Sequence, residues 1–221
     1  MPAAEGIRDW DGYAARWSQA HGGYDPRSAS VLVRGWLRLS YGIGAVLVRL
    51  GIRSPDAVTA VGLLLSAAVP LVALAGRPWS LAAAVLVLLS AFADTVDGVL
   101  AVITGRASRV GQVYDSAADR LAEAAWLTAF ALLGAPVWLA VGCAAVMWLH
   151  EYVRARATVA GMDDIGVVTV AERPTRILLT IFGLLATAAT AHAPLITLIV
   201  TAAVSLVGFA QLATAVRRAL R

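Results

Sequence analysis

Lysine is absent from this chain of 221 residues, cysteine occurs once, and charged residues make up only 14% of the sequence. The lone Cys143 has no partner, which excludes a disulfide framework. The shortage of charge, together with a hydrophobic content of 60%, excludes an ordinary soluble domain. The apolar residues fall in runs of about 20, the length that a helix needs to cross a bilayer. The sequence therefore predicts an all-α, polytopic membrane protein.

The N-terminal segment, residues 1–28, lacks the basic start and the apolar stretch of a secretory signal. We expect this polar segment to stay in the cytosol. Its Trp10 and Trp17 rest at the lipid interface in one interpretation, and the segment is a disordered tail in the other. Residues 29–221 are expected to form one membrane domain, without a linker or a second soluble domain.

The remaining chain alternates between apolar runs and short loops. Residues 30–50 resemble an amphipathic helix lying on the membrane, because Arg34 and Arg38 are four residues apart and can both reach anionic headgroups. A short additional span is the alternative. Six transmembrane helices are predicted after this interfacial helix. They cover about residues 56–76, 78–104, 111–134, 135–156, 174–190 and 194–216.

Arginines are distributed unevenly among the loops. One set of loops and the C-terminal tail hold Arg49, Arg53, Arg106, Arg109, Arg154, Arg156, Arg173, Arg176, Arg217, Arg218 and Arg221. The opposite loops hold only Arg77. Because cytosolic loops carry an excess of positive charge, both termini are predicted to be cytosolic in a multi-pass protein of the cell membrane.

Four aspartates interrupt the predicted helices: Asp94, Asp97, Asp115 and Asp119. A charge at the centre of a membrane helix costs about 2.5–3.5 kcal/mol on insertion scales, so a cation has to compensate them. Each pair shares a face of its helix, and the short turn at 105–110 lets the two pairs converge near the cytosolic boundary. Carboxylate oxygens suit Mg²⁺ or Mn²⁺.

The spacing therefore predicts a metal site, and two ions there would clamp the attacking and leaving oxygens of a displacement at phosphorus. Structural pairing of the acids with nearby arginines is the alternative. Small residues close to the acids, Gly98, Ala101 and Gly111, would let a nucleotide or another helix approach the backbone.

This stretch resembles the signature of the CDP-alcohol phosphatidyltransferase family, D-x-x-D-G-x-x-A-R, eight residues, then G-x-x-x-D-x-x-x-D. Residues 94–102 read DTVDGVLAV, and residues 111–119 read GQVYDSAAD after the same interval. Seven of the eight fixed positions match, and Val102 replaces the arginine. The departure removes a cation beside the diphosphate, so a non-catalytic binder of CDP-lipid remains an alternative.

The resemblance implies that an acceptor hydroxyl attacks the β-phosphorus of a CDP-alcohol, which we expect to be CDP-diacylglycerol, and that CMP leaves. Asp94, Asp97 and Asp115 would then be metal ligands, and Asp119 the general base and a further metal contact. The residues implied to bind the nucleotide are Gly98, Ala101 and Gly111, with Pro55, Asp56 and Thr59, which resemble a P-N-x-x-T element with Asp in place of Asn.

Four arginines bracket the loop between the fourth and fifth spans: Arg154, Arg156, Arg173 and Arg176. Their pattern resembles actinobacterial phosphatidylinositol phosphate synthases, a branch of the family, and implies binding of the acceptor phosphate of inositol phosphate. Ordinary anchoring of loops by positive charge is the alternative. Glu151 stands where we expect a small hydroxylic residue, so glycerol phosphate is an alternative acceptor.

A transporter of metal ions or metabolites is the competing class, since acids within a membrane often mark ion pathways. The clustering of the acids at one depth, without paired interrupted helices, argues against it. Small residues on several spans would allow a homodimer. Membrane lipids are expected partners, and nucleic acid is not.

Overall fold

The computed structural model describes residues 9–20, 23–162 and 168–221, and across these residues every regular element is helical. The predicted all-α class is therefore confirmed. The helices are α1 (Trp10–Ala20), α2 (Val31–Arg49), α3 (Pro55–Ala73), α4 (Ser80–Thr104), α5 (Arg109–Leu132), α6 (Val137–Val159), α7 (Arg173–Ala189) and α8 (Ala193–Ala219). A short 3₁₀ turn at Arg77–Trp79 precedes α4.

Local sequence explains where the helices near the aspartates begin and end. The Ser54 hydroxyl accepts a hydrogen bond from the backbone N–H of Ala57 at 3.3 Å, and Pro55 follows as the first helical residue of α3. The Ser108 hydroxyl accepts from the N–H of Gly111 at 2.9 Å and caps α5 in the same way. After α4, Gly105 adopts a φ of +65°, which favours glycine.

Four helical stretches in the described chain are long and apolar enough to cross a membrane: Val31–Arg49, Pro55–Ala73, Arg77–Thr104 and Ala193–Ala219. Helices α5, α6 and α7 also lie where spans were predicted, but α7 has only 17 residues and the other two carry several charges. The first stretch is α2. This helix is therefore long and apolar enough for the alternative interpretation of residues 30–50, an additional span. Six spans and an interfacial α2 stay predictions.

The chain divides into two compact units. Unit 1 comprises residues 1–64 and 89–119, and unit 2 comprises residues 65–88 and 120–221. The predicted division of the chain after residue 28 stays a prediction. The four aspartates of the motif belong to unit 1, and the arginines of the loop before α7 belong to unit 2.

In unit 1, the N-terminal helix packs on α2 through aromatic rings. Tyr13 is buried, with its ring centroid 5.3 Å from that of Tyr41, and Trp10 lies 6.0 Å from the same ring. The guanidinium of Arg38 lies 5.4 Å from the centre of the Trp10 ring, a cation–π contact. Residues 10–20 are thus an ordered helix, in contrast to the disordered-tail alternative.

Helix α4 is fixed on two sides within unit 1. From α2, the indole N–H of Trp36 donates to the Thr95 hydroxyl at 3.0 Å. Toward α3, the Ser90 hydroxyl donates to the carbonyl of Gly62 at 2.9 Å, and a Cβ added to Gly62 would lie 3.4 Å from Ala93 Cβ. These contacts hold the segment of α4 that carries the first two aspartates.

The core of unit 2 is apolar and tightly packed. Trp126 and Phe130 are almost fully buried, and the Trp126 indole donates to the Ser66 hydroxyl at 3.1 Å. Helices α7 and α8 approach each other closely at Gly183, where an added Cβ would collide with the side chain of Thr197. This packing supports the ends of α5, α6 and α7 that carry the charged residues described below.

Candidate active site

Three of the four motif aspartates come together in unit 1. Asp94 and Asp97 lie on α4 three residues apart, which puts them on one face, and Asp115 lies in the second turn of α5. One carboxylate oxygen from each residue lies within 4.8 Å of the other two, and Asp97 is buried. Asp119, one turn further along α5, is outside this group of three.

The chemistry of the group fits a divalent metal ion. All three donors are carboxylate oxygens, the ligands that Mg²⁺ and Mn²⁺ prefer. Three negative charges at this separation repel one another, and a shared cation relieves that repulsion. Asp94, Asp97 and Asp115 would therefore hold the ion.

Thr59 contacts the acidic group directly. Its hydroxyl donates to Asp97 Oδ2 at 2.6 Å and lies 3.2 Å from the carbonyl of Pro55, one turn earlier in α3. The bond to Asp97 orients a candidate metal ligand, as outer hydrogen bonds do in metal sites. Sequence reasoning assigned Thr59 to the nucleotide and missed this contact, because its partner is 38 residues away.

The other residues predicted to bind a nucleotide surround the same end of unit 1. A Cβ added to Gly111 would lie 3.4 Å from Asp56 Oδ1, so the first turns of α3 and α5 approach each other here. Gly98, one turn after Asp94, is exposed, and apart from its own stretch of α4 no atom of the described residues lies within 4 Å of its Cβ position. Ala101 follows one turn after Asp97 and is partly exposed. Open space therefore lies beside α4 at Gly98.

Val102, which replaces the motif arginine, is partly exposed at the end of α4. The nearby Arg106 donates from Nη1 to the carbonyl of Arg53 at 3.3 Å. That contact ties the turn between α4 and α5 to the residues that precede α3. No contact described for Val102 explains the replacement.

In unit 2, Arg176 is held between two carboxylates. Its Nη1 donates to Glu123 Oε1 at 3.0 Å and its Nη2 donates to Glu151 Oε1 at 2.9 Å. The His150 ring nitrogen Nδ1 lies 3.4 Å from the same Nη2. The Arg176 side chain is 2% exposed, so these charged partners replace water as its environment.

Arg154 is anchored through the residue that precedes α7. Its Nη2 donates to Glu172 Oε1 at 2.6 Å, and the backbone N–H and hydroxyl of Thr169 donate to the same oxygen at 2.8 Å and 2.9 Å. Partial burial works against a charge on Glu172. The hydrogen bonds from Thr169 and the Arg154 guanidinium outweigh it and hold the pKa of this carboxyl below its usual value.

The four loop arginines thus have different surroundings. Arg154 and Arg176 belong to one cluster of charges, Arg156 is exposed on α6, and Arg173 is partly exposed at the start of α7. Sequence reasoning missed Glu123, which contacts both Arg120 and Arg176. Its position gave a signal, since an acid four residues after Asp119 lies on the same helical face of an otherwise apolar run.

A model of the family described as CDP-alcohol phosphatidyltransferase matches residues 52–214. The matched residues include the group of Asp94, Asp97 and Asp115 and the charged cluster that contains Arg154 and Arg176. The chain belongs to the CDP-alcohol phosphatidyltransferase family. It is therefore a transferase of phospholipid biosynthesis, and its apolar helices make it a membrane protein. The family resemblance drawn from the motif is confirmed.

Curated relatives of this phosphatidyltransferase include two synthases of inositol lipids. A phosphatidylinositol phosphate synthase of Cutibacterium acnes is 33% identical over 147 residues, which cover 63% of this chain and 70% of the relative. An archaetidylinositol phosphate synthase of Pyrococcus horikoshii is 33% identical over 142 residues, covering 62% and 71%. The predicted likeness to actinobacterial phosphatidylinositol phosphate synthases is confirmed.

Solved structures share the fold of this phosphatidyltransferase. The phosphatidylinositol phosphate synthase of Mycobacterium tuberculosis with CDP-DAG bound matches with a TM-score of 0.65 at 24% identity, over 81% of this chain and 94% of that one. The same protein in complex with manganese and citrate matches with a TM-score of 0.67 at 24% identity, over 80% and 88%. At this identity the likeness establishes a common fold.

Proposed function

We propose that this phosphatidyltransferase moves the phosphatidyl group of CDP-diacylglycerol to a hydroxyl of inositol phosphate and releases CMP. The observation that carries the proposal is the convergence of Asp94, Asp97 and Asp115 at the positions of the family motif. The names of its relatives support an inositol phosphate acceptor, and the M. tuberculosis structure with CDP-DAG supports the donor.

The aspartate group holds the metal in this proposal. Two divalent ions, Mg²⁺ or Mn²⁺, would neutralise charge on the donor diphosphate and stabilise the leaving oxygen. Asp94, Asp97 and Asp115 would hold them, and Thr59 orients Asp97 through the 2.6 Å hydrogen bond. The complex of the M. tuberculosis synthase with manganese supports a divalent metal as the cofactor.

Asp119 is the proposed general base, and it touches a metal ion as well. It takes the proton from the acceptor hydroxyl while the hydroxyl oxygen bonds to the β-phosphorus, and the bond from that phosphorus to the bridging oxygen of CMP breaks. Its position one turn after Asp115 on α5, next to the group of three carboxylates in the chain, supports this role.

The remaining residues bind the two substrates. Those proposed for the cytidine nucleotide are Pro55, Asp56, Thr59, Gly98, Ala101 and Gly111. Open space at Gly98 and the close approach of Asp56 to Gly111 support this assignment. Those proposed for the acceptor phosphate are Arg154, Arg156, Arg173 and Arg176, because guanidinium groups match the geometry of phosphate oxygens.

The membrane arrangement completes the proposal. Six of the helices, α3 to α8, cross the cell membrane, α2 lies at its cytosolic surface, and the active site and both termini face the cytosol. The arginine-rich loops support this orientation. Small residues on several of these helices would allow a homodimer, and membrane lipids would surround the protein.

Release of CMP by the purified protein tests the proposed function. The protein in detergent receives CDP-diacylglycerol, Mn²⁺ or Mg²⁺, and inositol phosphate, inositol or glycerol phosphate. We expect inositol phosphate to give the fastest release. Asp119→Asn should lower the rate by about 10²–10⁴, the usual contribution of a general base. Asp25→Asn, a change at an exposed carboxylate, should leave the rate unchanged.

Each failure of that experiment has a distinct meaning. No CMP with any acceptor would overturn the enzymatic proposal and favour the non-catalytic binder. Faster release with glycerol phosphate would replace the proposed acceptor. Wild-type activity in Asp119→Asn would remove Asp119 from the mechanism without affecting the choice of substrates.

A further inference from the structure

One carboxylate lies at the centre of the arginine cluster in unit 2. Glu151 Oε1 is 2.9 Å from Arg176 Nη2 and 3.3 Å from Arg120 Nη1, and Glu151 Oε2 is 4.0 Å from Arg154 Nε. The His150 ring nitrogen Nδ1 lies 3.5 Å from Oε1. Three guanidinium groups from α5, α6 and α7 therefore converge on one anionic side chain, as they would on an anionic ligand.

The Glu151 carboxylate does not bond all the donors at the point where the guanidinium groups converge. The buried Nε atoms of Arg154 and Arg176 have no hydrogen-bond partner among the residues that the structure describes. Buried donors left without a partner are costly, and the two oxygens of one carboxylate do not reach them. A phosphate group offers three acceptor oxygens and about two negative charges, so it can satisfy more of these donors than Glu151 does.

Among the three glutamates of the cluster, Glu151 is the one whose bonds allow it to leave. Glu123 is 1% exposed, and Glu172 is fixed by the backbone and hydroxyl of Thr169. Glu151 is 32% exposed, and its contacts among the described residues are all with side chains. Rotation of its side chain toward the exposed side would free the arginines without disturbing the backbone.

The balance of charge in the cluster also indicates that Glu151 leaves when a phosphate binds. The ion pairs described for this cluster join three arginines, Arg120, Arg154 and Arg176, to three glutamates. With Glu151 in place the charges of these six side chains cancel. Once this carboxylate leaves, one positive charge is uncompensated at the position where the guanidinium groups converge.

We propose that Glu151 is a specificity-determining residue that occupies the anion position of the acceptor site, and that the phosphate of the acceptor displaces it on binding. This inference rests on the proposed function, which assigns Arg154 and Arg176 to the acceptor phosphate. The apparent affinity for a phosphorylated acceptor is then the intrinsic affinity multiplied by the fraction of molecules in which Glu151 has left.

Kinetics of Glu151→Gln test the proposal. If Glu151 fills the position in about nine of ten molecules, the variant lowers the KM for inositol phosphate about tenfold. The kcat should change less than about twofold, because Glu151 takes no part in the transfer step. The KM for CDP-diacylglycerol should not change. Inorganic phosphate should inhibit the variant with a Ki lowered by the same factor, and Asp25→Asn should behave as wild type in every measurement.

Several outcomes would overturn the inference. An unchanged or higher KM for inositol phosphate in folded Glu151→Gln would show that the carboxylate does not compete with phosphate. Glu151→Ser provides a second variant that should show the same lowered KM if the glutamine side chain disturbs folding. If wild type releases no CMP, the proposed function fails separately. Protection against thermal unfolding by inorganic phosphate, stronger in the variants than in wild type, then still tests displacement of Glu151.

Discussion

The pair of Glu123 and Arg176 offers a severe test of the charged cluster in unit 2. The salt bridge measures 3.0 Å, and the two side chains are 1% and 2% exposed. With an effective dielectric constant of about 20, their attraction is about 5.5 kcal/mol at this distance. Removing one partner of a buried pair costs about 3–5 kcal/mol, because the other charge stays buried. Arg176 retains Glu151, so Glu123→Gln should cost about 3 kcal/mol.

Thermal unfolding in detergent measures this cost. For a chain of this size about 3 kcal/mol corresponds to a fall in Tm of roughly 6–12 °C. Asp25→Asn is the control, since it makes the same change at a carboxylate that is 36% exposed and also pairs with an arginine. An ion pair at the surface contributes about 0–1 kcal/mol, so the Tm of this control should fall by no more than about 4 °C. A Tm of Glu123→Gln within about 2 °C of wild type, which corresponds to a cost of at most about 1 kcal/mol, would refute the reasoning.

Two further predictions concern Thr59 and the packing of α7. Thr59→Val should weaken Mn²⁺ binding about 10–100-fold, because it removes the hydrogen bond to Asp97, whereas Thr59→Ser should retain that bond and the affinity. Equal Mn²⁺ affinity in the two variants would exclude an orienting role for Thr59. Gly183→Ala should lower Tm through a cost of about 1–3 kcal/mol, because the new methyl collides with Thr197, whereas Gly142→Ala, with open space around it, should not. Similar Tm values for the two alanine variants would contradict this packing.

Much of the helical fold could be predicted because its determinants are local. Apolar runs located α3 to α8, and Ser54 with Pro55 marked the start of α3. Helix α1 was not predicted, since its eleven residues contain no long apolar run and it packs on Tyr41, more than twenty residues away. The pattern also predicted spans at α5 to α7, and these stay predictions because α7 has only 17 residues and charged residues occur within α5 and α6.

In the candidate site, too, local spacing predicted some contacts, whereas others join residues that are distant in the chain. Asp94 and Asp97 share a helical face by spacing alone, and the short turn before α5 brings Asp115 to them. The partner of Arg176 could not be predicted in this way, because Glu123 lies 53 residues earlier in the chain. Phosphate binding by the four loop arginines stays a prediction, and the glutamates that contact Arg154 and Arg176 became evident only from the fold.

Burial then separates the two glutamates that bond Arg176. Glu123 and Glu151 both bond Arg176, at 3.0 Å and 2.9 Å, so distance does not distinguish them. The buried carboxylate has no route to water, and its loss should therefore appear as lower stability. The carboxylate that is 32% exposed can exchange Arg176 for water, and its loss should appear as tighter binding of phosphate. If Glu123→Gln and Glu151→Gln instead lowered Tm equally and left the KM for inositol phosphate unchanged, both carboxylates would be structural, and the acceptor phosphate would bind elsewhere.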